Sequence, residues 1–192
     1  MNKKLDIKIL TFVMYEKDSL SLLFNYYKNR LSNFIPEIKI RFFSELSQIN
    51  NETFSFFEEE KNHVFLLSNN KAFLSQSITF CSQLGDSVIV FSDELVKDIP
   101  SLDIEKLMKL NVQIPVSNYF NNADFENVKL LNKFENKFKH AMNDKSVLSF
   151  KSILHFSNIK QFKFIQISEN SGYINTNIQM CTFKGYQLLP IE

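Results

Sequence analysis

The stretch Asn62–Asp93, NHVFLLSNNKAFLSQSITFCSQLGDSVIVFSD, constrains the fold of this chain more than any other. His63–Leu67 and Ser87–Phe91 are short apolar runs, each followed directly by a serine, Ser68 and Ser92, and the span between them carries apolar residues at helical spacing. Apolar runs without polar alternation suit strands covered on both faces, as in a parallel sheet packed between helices. The stretch therefore predicts a βαβ unit. In open parallel sheets ligands and chemistry gather at the carboxyl ends of the strands, so Ser68 and Ser92 fall where a site would be.

Similar units repeat on either side. Ile7–Met14 is an apolar, β-branched first strand, Asp18-Ser19 offers a helix cap, and Leu20, Leu23, Phe24, Tyr27 and Leu31 recur at helical spacing. Glu37–Phe43 follows Pro36 and alternates polar with apolar, as a half-exposed strand does. Ser44–Lys61 reads as a weak helix whose acidic end, Glu58–Glu60, is a solvated run rather than a carboxylate site. Ser101-Leu102-Asp103 caps a helix over Ile104–Leu110. Val112–Val116 is a fifth strand, with Pro115 marking an edge or a bend. Five β/α repeats predict an α/β fold: a doubly wound, flavodoxin-like domain over residues 1–122. The remainder, 123–192, opens with an amphipathic helix over Ala123–Met142 and then turns β-rich, with one strand in Lys160–Ser168 and two in Tyr173–Pro190 that meet at Lys184-Gly185.

Composition narrows the function. The net charge is +1, but the residues from Val128 onward hold nine lysines against four acids, a net +5 that leaves −4 for the rest. A basic unit behind an acidic one fits an anionic partner such as DNA, or a solvated lysine face. With only three glycines there is no Gly-rich phosphate loop. Cys81 and Cys181 lie far apart in apolar surroundings and read as buried free thiols. His63, His140 and His155 lack the local setting of a catalytic base, and no metal-ligand spacing recurs. The expectation is a protein that is not an enzyme, holds no cofactor or metal, does not enter a membrane and works in the cytoplasm.

Lys8–Tyr15, Asn62–Ser68, Ser87–Asp93 and Val116–Phe120 follow one another in an order and spacing that resembles response-regulator receiver domains. In that family acids after the first strand hold Mg²⁺ and an aspartate ending the third accepts phosphate. Here the first acids are Glu16 and Asp18, and Leu66-Leu67-Ser68 stands at the third strand's end. Ser92 matches the family's Ser/Thr, and Asn118-Tyr119-Phe120 resembles its Lys-Pro-Phe, with Asn118 in place of the lysine. The resemblance implies a degenerate receiver, its vestigial phospho-site marked by Ser68, Ser92 and Asn118. The alternative is a flavodoxin-like fold of another lineage whose serines merely end strands.

Ile178–Pro190, with Gly185-Tyr186 and Leu188, is similar to the hairpin closing the winged-helix domain of OmpR-type response regulators, and Leu148-Ser149 within Phe134–Leu154 fits the start of its second helix. That resemblance implies a phosphorylation-independent transcriptional regulator that binds DNA as a dimer, with Lys160, Gln161, Lys163 and Lys184 as its contacts. It needs a recognition helix between Asn158 and Ile178, where Phe162–Ile167 has the alternation of a strand. No arginine follows Arg41 to make a bidentate guanine contact. A β-meander fits the same residues. The rival function is a pseudo-receiver that docks another protein, as in a bacterial secretion or motility assembly.

Overall fold

The computed structural model describes residues 7–18, 20–50, 62–117, 119, 125–143, 146, 149, 164–166, 173–175 and 178–191. The chain forms two compact units, Met1–Pro115 together with Cys181–Glu192, and Val116–Met180. The sequence alone places the boundary after residue 122 and assigns the last hairpin to the second unit.

In the first unit β1 (Ile9–Tyr15), α1 (Ser21–Leu31), β2 (Glu37–Phe43), β3 (Asn62–Leu67), α2 (Lys71–Cys81), β4 (Val88–Ser92), α3 (Ile104–Lys109) and β5 (Gln113–Val116) alternate as the apolar runs require. The strands stand in the order β2-β1-β3-β4-β5 and pair in parallel. β1 has a neighbour on each side, and every residue from Leu10 to Tyr15 is buried. Its alternate side chains serve opposite faces. Phe12 meets Phe24 of α1 edge-on at 5.2 Å, whereas Tyr15 stacks on Phe73 of α2 at 5.3 Å.

The helices lie on both faces for a chiral reason. The step from β1 to β2 runs toward one edge and the step from β3 to β4 toward the other, so crossovers of the same right hand place α1 and α2 on opposite sides. The α1 side is closed by Leu10, Phe12, Met14, Phe24, Ile35 and Leu67. Fully buried side chains of this size each contribute about 1.5–3 kcal/mol relative to exposure. The direction of winding reverses between β1 and β3, which fixes the crevice of such a sheet at their carboxyl ends.

Two further strands extend this sheet. β8 (Gln179–Lys184) lies beside β5 and pairs antiparallel with β9 (Gln187–Pro190). Gly185 and Tyr186, at φ 58 and 62, make the tight turn, since a two-residue hairpin of this hand needs positive φ at both positions. The Tyr186 hydroxyl donates to Glu105 Oε1 at 3.0 Å and the Thr182 hydroxyl to Asn111 Oδ1 at 2.9 Å, tying the hairpin to α3 and the turn after it.

The second unit contains α4 (Phe125–Phe138) and a short antiparallel pair, β6 (Phe164–Gln166) with β7 (Tyr173–Asn175). This corrects the winged-helix expectation over those residues: Phe164–Gln166 is a paired strand, not part of a recognition helix. Its β-branched and aromatic alternation outweighs the resemblance.

Other expectations shift at element ends. Within Ser44–Lys61 the described residues form only a 3-10 turn at Leu46–Gln48, where the Gln48 side chain accepts from the Ser44 and Glu45 amides; residues 51–61 lie outside the described residues. α4 stops four residues short of Met142, because Lys139 takes φ 60. Among the described residues no helix is long and apolar enough to cross a membrane.

Candidate functional site

The β1 and β3 ends meet in one hydrogen-bonded cluster. After Tyr15 the chain turns through Glu16 and Lys17, with the Asp18 amide donating to the Tyr15 carbonyl at 3.1 Å. After Leu67 it passes Ser68 and Asn69 into α2, whose N-cap is Asn70; the Asn70 side chain accepts from the Phe73 amide at 3.0 Å. Across the crevice the Ser68 hydroxyl donates to Asp18 Oδ2, and the Asn69 amide reaches the same oxygen at 3.0 Å. The Asn70 amide in turn donates to Ser68 Oγ at 3.0 Å. Asp18 therefore does not cap α1, whose N-cap position is taken by Leu20 without a side-chain cap bond; Ser19 lies outside the described residues.

This geometry decides what Ser68 can do. Its proton is committed to a carboxylate, its oxygen accepts an amide, and the residue is 0% exposed. A nucleophile needs a base and a path to substrate. Ser68 has a carboxylate neighbour but no path. Ser92 lies beside Leu66 in the β3–β4 register, is equally buried, and donates its hydroxyl to the Leu66 carbonyl at 3.3 Å. The two serines thus share an end of the sheet without sharing a partner. Asn118 lies outside the described residues.

The Asp93 carboxyl, one residue beyond β4, is pushed above the ordinary carboxylate range by burial, and Glu94 beside it adds to the rise; its bond from the Leu95 amide opposes it. Burial likewise pushes the thiols up, Cys81 to about 12 and Cys181 to about 11, the latter with help from Glu94. Both are free and buried, and so poor nucleophiles at neutral pH. His63 is buried in β3 with its ring stacked over Phe91, and His140 is exposed beyond α4. His155 lies outside the described residues. Among the described residues no three His, Cys, Asp or Glu side chains gather as a metal site would require.

A cavity of about 400 Å³ opens beside this cluster. Met14, Phe24, Ile40 and Phe42 give it apolar walls, while Tyr15, Glu16 and Asp18 stand where β1 ends and Asn25 lines it from α1. Neither the cavity nor the Asp18–Ser68 bond has a local signal in the sequence. The pair is separated by 50 residues, and only the adjacency of β1 and β3 brings it together.

Of the lysines expected to touch DNA, Lys184 is exposed at the hairpin end of β8. Lys160, Gln161 and Lys163 lie outside the described residues.

No protein-family model matches the sequence, and no curated protein matches it. Among solved structures the fold is similar to the solute-binding protein of an ABC transporter from R. palustris, crystallised in complex with benzoate. The likeness has a TM-score of 0.54 and covers 96% of this chain, at 9% sequence identity. This chain spans 58% of that protein's length. At such identity the likeness is one of fold, and it agrees with an α/β architecture built on a mostly parallel seven-stranded sheet.

Proposed function

We propose that the chain is a non-enzymatic recognition module, receiver-like in its strand order, that docks another protein without phosphoryl chemistry. The observation behind it is an inversion of exposure. Polar groups at the strand ends are buried and bonded, while large apolar side chains of α1 and the turn after it stand in solvent: Leu22 is 84% exposed, Tyr26 56% and Phe34 81%. Leu22 and Tyr26, four residues apart, share a face of the helix. Apolar groups gathered on a surface favour association, because burying them removes area from water. The test replaces Tyr26 and Phe34 by glutamate in a tagged chain and compares proteins recovered by crosslinking in the source cell. A partner held by the unaltered chain and lost from the variant is expected; identical recovery would contradict docking through this surface.

A second reading, a DNA-binding regulator acting as a dimer, draws on a different observation. Lys129, Lys133 and Lys137 are exposed at four-residue spacing along α4, so they form one basic row. Such a row favours phosphate backbones through counterion release, and its affinity falls steeply with salt. Retention on heparin that persists above about 0.2 M salt supports this reading, and elution at lower ionic strength counts against it. The strand at Phe164–Gln166 leaves it the weaker of the two.

A further inference from the structure

The cavity at the end of β1 has a charge of one sign. Glu16 and Asp18 supply two carboxylates, and among the described residues no lysine or arginine lines it. Both hydrogen bonds that Asp18 accepts go to Oδ2, which leaves Oδ1 without a partner among the described residues. The exposed Glu16 carboxylate likewise makes no hydrogen bond or ion pair among them. The volume of about 400 Å³ falls in the range of small-molecule sites, roughly 300–1,000 Å³.

The walls favour the same sign of ligand. Phe24 and Phe42 are aromatic, and the face of an aromatic ring attracts cations. An anionic ligand would meet two carboxylates with no cation among the described lining residues to offset them, at a cost that grows as water leaves the crevice. A neutral apolar ligand would leave those carboxylates partly desolvated and unpaired.

We infer that this cavity binds a small organic monocation, with its ammonium between Glu16 and Asp18 Oδ1 and an aromatic or branched apolar body against Phe24, Ile40 and Phe42. The site lies on the α1 and β2 side of the sheet and needs neither phosphate nor the Ser68 hydroxyl. It stands whether or not α1 docks a protein. Phe42, on β2 and 52% exposed, is half in solvent without a ligand and gains cover when one is bound.

The experiment titrates the full chain with three probes of one size: phenethylammonium, 3-phenylpropionate and 2-phenylethanol. Calorimetry is expected to show saturable binding of the cation with one site per chain, roughly tenfold or more tighter than the other two. Glu16→Gln and Phe42→Ser change exposed side chains, and each is expected to weaken the cation several-fold. Amide shifts on the unaltered chain are expected to move at Glu16, Asn25 and Phe42. Equal or tighter binding of the carboxylate or the alcohol, no saturable binding of the cation, or shifts confined to other residues would overturn the assignment.

Discussion

Ser68 joins three segments through one hydroxyl: it donates to Asp18, accepts from Asn70, and sits where β3 becomes α2. Ser68→Ala removes both bonds and leaves a part-buried carboxylate and an amide short of a partner, a loss of about 1–3 kcal/mol. Urea unfolding is expected to show a lower midpoint at unchanged slope; an unmoved midpoint would mean that water replaces the hydroxyl without loss. Asp93 gives the pH prediction. Its folded pKa is raised above the ordinary value of 3.8 by burial, so folding favours the protonated form. That contribution is fully present below 3.8 and lost as pH rises through the folded value, which makes the ionised carboxylate a burden at neutral pH. Asp93→Asn keeps an oxygen for the Leu95 amide and is expected to raise the melting temperature at pH 7, with the gain closing toward pH 3. A gain that grows as pH falls would reverse the sign. Asp18 marks the limit of local reading. A carboxylate just before a helical pattern is a good cap signal, but a hydroxyl and an amide from β3, invisible at short range, take the same oxygen.

At the scale of elements, the strands were legible where burial on two faces left continuous apolar runs, and Glu37–Phe43 forms over the residues its alternation picks out. Asp103 caps α3 as expected, accepting from the Glu105 amide at 2.9 Å. The last hairpin was legible as a turn but not as part of this sheet. Nothing in Gln179–Pro190 records that its neighbour is β5, whose strand ends some sixty residues earlier; the ties to Glu105 and Asn111 do so in three dimensions. Gly185, at φ 58, gives a direct test of the turn. An added Cβ there meets no atom within 4 Å, so Gly185→Ala acts through backbone conformation alone. About 1–2 kcal/mol of destabilisation is expected from thermal or urea unfolding. No loss would mean that the turn adopts another conformation in solution.

For the whole molecule, strand order decides where a site can form and side chains decide what it can do. The order β2-β1-β3-β4-β5 opens a crevice between β1 and β3, the place where doubly wound proteins bind ligands. The five-repeat pattern made that crevice legible, since alternating strands and helices admit few arrangements. Its contents were not: the acid–serine bond and the apolar cavity each draw on segments far apart in the chain. We propose that this crevice is closed to phosphoryl transfer and open to recognition. Incubation of the full chain with acetyl phosphate and Mg²⁺, followed by intact mass spectrometry and peptide mapping, tests it most directly. An unchanged mass is expected; a phosphoryl group on Ser68, Asp18 or Glu16 would overturn the proposal.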